Sequence, residues 1–345
     1  MEKVVGLGMS GGVDSSVAAY LLKQQGYKVV GITMRLITGE KTENAIEDAK
    51  KVCDILEIPH YVVDFKEEFR KIVIDNFIES YEEGKTPNPC CVCNKYFKFG
   101  LFYEAAIKLG CDYIATGHYA CIKDGKLYRA KVLEKDQSYF LWGIDKNILK
   151  HVIFPLANYN NKEEIRQIAT SIKLEIAKKK DSQEICFIPD DNYKKFLDSE
   201  LISKPIKGEI CLENGEVLGL HNGLIYYTIG QRKGLNISYK EPLYVIKIDT
   251  LNNKLIVGPN DSLFKTSLVA GKVNLLDEVK DGDYFAKVRS RGSLRKCYVK
   301  FREAGKMDIK FVEAERAITL GQSVVLYDES GACLGGGIIE EVGND

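Results

Sequence analysis

Gly8-Met9-Ser10-Gly11-Gly12-Val13-Asp14-Ser15-Ser16 is the stretch on which the fold turns. A short apolar run, Lys3 to Leu7, precedes it. Helical periodicity through Val17, Leu21 and Leu22 follows, until Gly26 stops it. The pattern is strand, glycine turn, helix. Glycines let the backbone turn tightly and bring its N–H groups close to an anion, and the helix N-terminus adds its dipole and unpaired donors. Ser10, Ser15 and Ser16 supply further donors. No Gly-Lys-Ser/Thr lies within this stretch, so it is not a Walker A loop.

Working outward, strands and helices alternate. Tyr27 to Thr33 is a Val/Ile-rich strand, and Thr42 to Leu56 a helix with Ala45, Ala49, Val52 and Leu56 on one face. His60 to Phe65 and Asp112 to Thr116 are strands, with helices over Glu67 to Tyr81 and Lys95 to Leu109. Such alternation predicts a parallel sheet covered on both faces. From about Lys204 helical periodicity disappears. Short runs such as Gly208 to Leu212, Leu243 to Ile248 and Lys254 to Val257 are punctuated by Glu213-Asn214-Gly215 and Asn252-Asn253, which read as hairpin turns. A second β segment begins near Lys265, and strands at this spacing suggest small barrels or sandwiches. The expected division is 1–200, 201–260 and 261–345, in keeping with 345 residues at roughly 100–200 per domain.

Composition narrows the function classes. Lys+Arg and Asp+Glu are both 49, so bulk charge does not drive binding to nucleic acid or anionic membrane. An apolar content of 45% with 28% charged residues is an ordinary globular mix and excludes disorder as the dominant state. No apolar run approaches the ~18 residues of a membrane span, and the apolar stretch at the N-terminus is too short for a signal peptide. A cytoplasmic, non-membrane protein is expected. Against this neutral background, seven Lys/Arg and no acid lie between Tyr284 and Arg302: Lys287, Arg289, Arg291, Arg295, Lys296, Lys300 and Arg302. The stripe is either a footprint for phosphates or a solvated strand face.

Ten cysteines exceed what such a compartment needs for disulfides, and most sit singly among apolar residues as small buried hydrophobes. Thr86-Pro87-Asn88-Pro89-Cys90-Cys91-Val92-Cys93-Asn94-Lys95 differs. Its two prolines predict an extended loop, with Asn94 as a helix N-cap. Cys93 would then lie beside a helix N-terminus, where a thiol pKa falls. Cys90 and Cys93 have Cys-x-x-Cys spacing, but one pair supplies half a zinc site, which leaves redox, metal and structural roles open. A third cluster runs from Lys178 to Ile188 and contains Asp181-Ser182-Gln183-Glu184-Ile185-Cys186.

Ser-Gly-Gly-x-Asp-Ser after a first strand resembles the pyrophosphatase loop of the N-type ATP pyrophosphatases. Taken together the segments resemble, more narrowly, the tRNA-specific 2-thiouridylases (the MnmA/TrmU family). The matching stretches are Gly8 to Ser16, Thr86 to Asn94 with Lys98-Phe99, Ala115 to Tyr119, Lys135 to Leu141, Asp181 to Ile188, Gly219 to Gly234, Gly321-Gln322 and Leu334 to Gly337. The resemblance implies an α/β N-terminal domain of the adenine-nucleotide hydrolase-like, PP-loop type, followed by two small mainly-β domains, the last a tRNA-contacting β-barrel. It implies ATP-dependent 2-thiolation of the wobble uridine, by adenylation of the C2 oxygen and then sulfur transfer with release of AMP.

Residue by residue, the resemblance implies that Gly8, Met9, Ser10, Gly11, Gly12, Val13, Asp14 and Ser15 bind ATP, with Asp14 helping to place Mg²⁺. Met34 lines the adenine pocket and Gly117 packs against the nucleotide. Asn88, Pro89 and Cys90 meet the target base, and Lys135, Asp136 and Gln137 contact tRNA. Cys186 carries a persulfide and Cys93 is its partner thiol, leaving a disulfide to be reduced. His118 reads as a structural histidine. Arg289-Ser290 stands where relatives carry Arg-Tyr, so the arginine carries over and the stacking tyrosine does not. Much of the family has an acid at Cys90. The change creates a set of three thiols, Cys90, Cys93 and Cys186, which suits an Fe–S cluster with one iron open for sulfide. Persulfide and cluster delivery both stay open. Other implied partners are tRNA and a sulfur-donor protein, a desulfurase or a sulfur relay, acting on a monomer. The competing classes are another PP-loop adenylating ligase, which would need neither paired thiols nor a basic C-terminal domain, and a cluster-bearing RNA-binding regulator, which would not need the loop.

Overall fold

The computed structural model describes residues 2–159, 161–172, 174, 185–188, 192–201 and 204–343. The chain opens with β1 (Val4–Gly8), α1 (Val13–Gln24), β2 (Lys28–Arg35), α2 (Glu40–Ile55) and β3 (His60–Asp64). A helix follows in three joined pieces, α3 (Lys66–Phe69), a π-turn (Arg70–Ile74) and α4 (Asp75–Glu82). A second composite helix comprises α5 (Pro89–Cys93), a π segment (Asn94–Leu101) and α6 (Phe102–Lys108). Then come β4 (Tyr113–Ala115), the hairpin β5 (Cys121–Lys123) and β6 (Lys126–Tyr128), β7 (Val152–Ile153), α7 (Lys162–Ser171) and α8 (Tyr193–Glu200).

Five strands form a parallel sheet in the order β3-β2-β1-β4-β7. β1 carries Val5 and Leu7 at zero exposure, because helices cover both faces. The strand order reverses between β1 and β4, and a crevice at the carboxyl ends of the strands belongs at that switch point. The glycine loop after β1 and the Thr116–Tyr119 crossing after β4 therefore open side by side.

The prolines of the Thr86–Asn94 stretch act differently from expectation. Asn88, not Asn94, is the N-cap, its Oδ1 accepting from the Cys91 N–H at 3.3 Å. Pro89 takes the first helical position, where its fixed φ suits the helix and its missing N–H costs nothing. Cys93 thus lies a turn inside a helix, buried, rather than beside a helix start.

Beyond Lys204, β8 (Gly208–Leu212), β9 (Val217–His221), β10 (Tyr244–Asp249) and β11 (Lys254–Gly258) form a sheet in the order β10-β11-β8-β9. Asn253 (φ 51°) and Gly215 (φ 89°) take the left-handed turn positions of its two hairpins. The last strands are β12 (Phe264–Leu275), β13 (Gly282–Lys287), β14 (Arg295–Arg302), β15 (Lys306–Arg316), β16 (Ser323–Tyr327) and β17 (Cys333–Gly343). They close a six-stranded barrel, β12-β15-β14-β13-β16-β17. Alternation fills its interior with Val299, Met307, Ile309 and Val324, all at zero exposure.

The barrel does not hang free of the α/β layer. Its Gln322 Nε2 donates to the Thr86 and Pro87 carbonyls at 2.8 and 3.2 Å, and the Thr86 N–H donates to the Leu320 carbonyl at 2.9 Å. Thr86 and Thr228 hydroxyls meet at 2.5 Å, so the connection between β9 and β10 joins the same clamp.

An aromatic cluster positions the last piece. Phe187, 7% exposed, packs edge-on against Phe69, Phe77 and Phe196 at centroid distances of 6.0, 5.4 and 5.4 Å. Cys93 belongs to the same cluster. Burying this one ring therefore holds Cys186, its neighbour in sequence, against the thiol helix. Truncating a ring of this kind costs about 3–5 kcal/mol. Phe187→Ala is expected to release the segment, so that Cys186 is alkylated about tenfold faster or more, each decade corresponding to about 1.4 kcal/mol of lost docking. Mass-spectrometric labelling rates check this, and an unchanged rate would refute the anchoring role.

Candidate functional site

The glycine loop is built by its own hydroxyls. Ser15 Oγ donates to the Gly12 carbonyl at 3.1 Å, accepts from the Ser10 N–H at 3.2 Å and lies 3.1 Å from Ser10 Oγ. Ser16 Oγ donates to the same carbonyl at 2.8 Å. Gly11 has φ +65°, and a methyl group there would stand 2.3 Å from the Ala45 carbonyl oxygen, so both conformation and space require glycine. Gly12 is the N-cap of α1 and offers no side-chain cap to its first-turn amides. Gly8 ends β1 at the mouth. Met9 and Val13 are buried and shape the loop from the core side. Met34 sits half-buried at the end of β2, between two core clusters.

Gly117 brings the neighbouring crossing against this loop: a methyl group on it would stand 3.1 Å from the Ser15 nitrogen and 3.2 Å from Asp14. Two residues on, Tyr119 Oη donates to Asp14 Oδ1 at 2.9 Å. Lys162, at the first position of α7, places its Nζ 2.6 Å from both Asp14 carboxylate oxygens. Neither Tyr119 nor Lys162 was singled out as a site residue by sequence reasoning. A lysine opening a helix, against the helix dipole, was the available signal for Lys162.

The residue between Gly117 and Tyr119 faces the other way, toward the thiols. His118 is buried, and burial first, then the facing Lys98, pushes its imidazole well below the usual histidine range. Neutral His118 accepts from Lys98 at 3.3 Å through Nε2 and donates from Nδ1 to Thr116 Oγ1 at 2.7 Å. Lys98 lies on the helix of Cys93, and its charge reaches all three thiols of the set. Cys90 and Cys186 are exposed, whereas Cys93 is buried. Burial pushes Cys93 up to about 12. Cys90 and Cys186, open at the surface but walled by protein, are raised by the same cause, and Lys98 opposes the shift at each. This corrects the lowered thiol pKa expected for Cys93. All ten cysteines are free thiols. Among the described residues no group of three or more His, Cys, Asp or Glu is placed to hold a metal ion. Asp181 to Glu184 of the third cluster lie outside the described residues.

The segments expected to meet tRNA split into framework and surface. Asp136 has no exposed side-chain area and accepts from the N–H groups of Ala130 and Ser138 at 3.0 and 3.1 Å, from Ser138 Oγ at 3.0 Å and from Arg129 at 3.3 Å. Gln137 is tied to Tyr119 in both directions, each bond 2.9 Å. Lys135 is exposed. Asn88 caps the thiol helix and Pro89 is buried beneath Cys90. On the barrel, Arg289 and Arg295 both pair with Glu315, which is 5% exposed on its side chain, at 3.1 Å. Ser290 is half-buried beside them. Lys287 is 5% exposed and faces the Tyr139 ring, and burial lowers its pKa. The basic stripe is thus not one uniform face: Arg291, Lys296, Lys300 and Arg302 are its exposed members, Arg302 being paired with Asp308.

A family model described as the tRNA methyl transferase HUP domain matches residues 2–190. Its companion PRC-barrel domain matches 194–259, and the aminomethyltransferase beta-barrel domain matches 265–339. A tRNA-specific 2-thiouridylase from Clostridium tetani is 48% identical over 99% of this chain and 98% of its own length. Another from Fusobacterium nucleatum is 45% identical over 98% and 93%, and one from Clostridioides difficile 43% identical over 99% of each. Among solved structures, a U34-tRNA thiolase from Methanococcus maripaludis with its 4Fe-4S cluster aligns over 57% of this chain and 65% of its own, at 22% identity. Its TM-score of 0.37 is too low to carry an argument.

The site generates two predictions. Asp136→Ala strands the Ala130 and Ser138 donors and one side of Arg129, at a cost on the order of 3 kcal/mol. Urea denaturation should show this loss, whereas Lys135→Ala should leave stability within about 0.5 kcal/mol and weaken tRNA binding in filter assays. With its pKa near 12, Cys93 is thiolate in only on the order of one molecule in 100,000 at pH 7. Its iodoacetamide labelling in the free protein should therefore be very slow and still rising with pH above 9. Lys98→Met removes the opposing charge and should shift the profile to higher pH. A plateau below pH 8 would contradict the burial argument.

Proposed function

The chain belongs to the tRNA-specific 2-thiouridylase family, and we propose that it transfers sulfur to C2 of the wobble uridine of tRNA at the expense of ATP. One observation carries this reading: four consecutive residues, Thr116 to Tyr119, touch both halves of the chemistry. Gly117 and Tyr119 close on the glycine loop, while His118, held by Thr116, grips the lysine whose charge reaches Cys90, Cys93 and Cys186. A base seated between them is within reach of an activated phosphate on one side and of sulfur on the other.

In the first step the uridine C2 oxygen attacks the α-phosphorus and the bond to the β-phosphate oxygen breaks. Pyrophosphate departs with the electron pair into the glycine loop, where amides of the α1 N-terminus and the serine hydroxyls receive it. Asp14 is the carboxylate in that mouth that would hold the Mg²⁺ accompanying ATP, which would supply further charge neutralisation when bound. Adenylation converts a poor leaving oxygen into a phosphate ester of AMP.

In the second step the terminal sulfur of a Cys186 persulfide bonds to C2 and AMP leaves. The Cys93 thiolate then attacks the Cys186 sulfur, the S–S bond to the base-linked sulfur breaks, and its electron pair stays on what becomes the 2-thio group. A Cys93–Cys186 disulfide remains for an external thiol to reduce. Cys90, with a thiol raised by burial, does not replace a carboxylate base at neutral pH and contacts the base as a neutral group. Arg291, Lys296 and Lys300 on the barrel, with Lys135 on the α/β unit, supply the phosphate contacts. A methyl-transfer reading, suggested by the wording of the family models alone, leaves the glycine loop and the three thiols without a task.

The test is nucleoside analysis of tRNA from a strain lacking the gene, complemented with wild type, Asp14→Ala, Cys93→Ala or Cys186→Ala. Wild type should restore 2-thiouridine and the three variants should fail. Purified Asp14→Ala should also release no pyrophosphate. Restoration by Cys186→Ala would refute persulfide transfer at that residue.

A further inference from the structure

We propose that Lys162 is a catalytic residue of the ATP half-reaction, exchanging Asp14 for the departing pyrophosphate. The assignment rests on the adenylation reading above and adds to it a group that the glycine loop itself lacks, a mobile cation.

The local sequence first makes Lys162 anomalous. α7 begins at Lys162, capped by Asn161, whose Oδ1 accepts from the Glu164 N–H at 2.8 Å while its Nδ2 reaches the Glu164 carboxylate at 3.3 Å. The first turn of a helix favours acids, and Glu163 and Glu164 satisfy that preference. A lysine at the very first position works against the helix dipole. Breaches of a local rule of this kind concentrate at functional sites.

Packing then fixes where the lysine points. Ile165 and Ala169, three and seven residues on, are fully buried in the cluster that contains Val17, Ala18 and Leu22 of α1. The same face of α7 therefore carries Lys162 to the N-terminus of α1. There its Nζ meets both oxygens of Asp14 at 2.6 Å, with side-chain exposures of only 16% and 31%. Asp14 Oδ1 also accepts from Tyr119. Two helix N-termini and one ammonium thus converge on a single carboxylate beside the glycine loop.

The arrangement makes electrostatic sense as an exchange. An ionised Asp14 in the mouth of a polyphosphate site repels the ligand, and Lys162 cancels that charge in the free protein. When ATP enters, its β- and γ-phosphates carry more negative charge than one carboxylate, and the lysine stem swings its ammonium across to them. As the bond from Pα to the bridging oxygen breaks, negative charge grows on the pyrophosphate, and the ammonium stabilises it more in the transition state than in the ground state. No bond to Lys162 forms and its proton stays in place.

The experiment uses the full chain with Lys162→Met and Lys162→Arg, against wild type. Calorimetric titration with pyrophosphate alone and with AMP alone separates the two ends of the nucleotide. Lys162→Met should weaken pyrophosphate binding about tenfold or more and leave AMP binding unchanged. With ATP and tRNA, its kcat for pyrophosphate release should fall about a hundredfold or more, as for loss of one transition-state donor, with KM for tRNA unaffected. Lys162→Arg should recover part of both losses. Pyrophosphate affinity and kcat unchanged in Lys162→Met would overturn the assignment. Equal weakening of AMP and pyrophosphate, with a lowered melting temperature, would also overturn it and mark Lys162 as a tie between helices. If wild type binds pyrophosphate through Lys162 yet makes no 2-thiouridine, the thiolation reading fails and the anion-binding role of Lys162 stands.

Discussion

The architecture depends on how one short segment satisfies its backbone. Thr86 to Pro89 carries two prolines and no strand partner, so its carbonyls and remaining N–H groups must find acceptors and donors elsewhere. Gln322 and Leu320 of the barrel and Thr228 of the β9–β10 connection provide them. The helix that begins at Pro89 is therefore aimed by domains that lie more than a hundred residues later in the chain. Cys90 and Cys93 inherit that aim. Ser323 adds to it, its hydroxyl meeting Cys91 Sγ at 3.5 Å while its carbonyl accepts from Tyr139 at 2.8 Å. This explains why a chain with a complete α/β unit also needs two β domains packed on it.

Charge in the crevice is arranged in opposition on either side of the Thr116–Tyr119 crossing. On the glycine-loop side a carboxylate, Asp14, is held among donors and a lysine. On the thiol side Lys98 acts on three neutral thiols, and its neighbour, His118, is also neutral. Burial sets the thiols in their unreactive form, and Lys98 is the counterweight shared by Cys93, Cys90 and Cys186. A sulfur chemistry that is quiet in the free protein avoids indiscriminate oxidation, since the thiolate rather than the thiol is the reactive species.

The barrel contributes more than a basic surface. Glu315, nearly buried, anchors Arg289 and Arg295, and Lys287 turns inward toward Tyr139. Asp136 does comparable work on the α/β side, taking four hydrogen bonds and lying close enough to Lys287 to favour its charge.

Local pattern alone determined much of this protein. Strand, glycine turn and helix at Lys3 to Gln25, the alternation that follows, and the hairpins at Gly215 and Asn253 are written in nearest-neighbour chemistry: glycine where φ is positive, apolar residues at helical spacing, Asn where a turn needs it. The parallel sheet and the β-rich second half follow from that. The thiol helix was not legible in the same way, because the prolines that forbid a helix interior also suit a helix start, and only the contact of Asn88 with Cys91 decides between the two. Nor was the protonation of Cys93, which depends on Phe97, Phe187 and the other rings gathered around it from distant positions. The pairing of Lys162 with Asp14 spans 148 residues, and a lysine at a helix start announces a conflict without naming its partner. Sequence fixes what each segment is; which segments share a crevice, and therefore which charges meet, is set by the packing of three domains, where burial and long-range contact outweigh local preference.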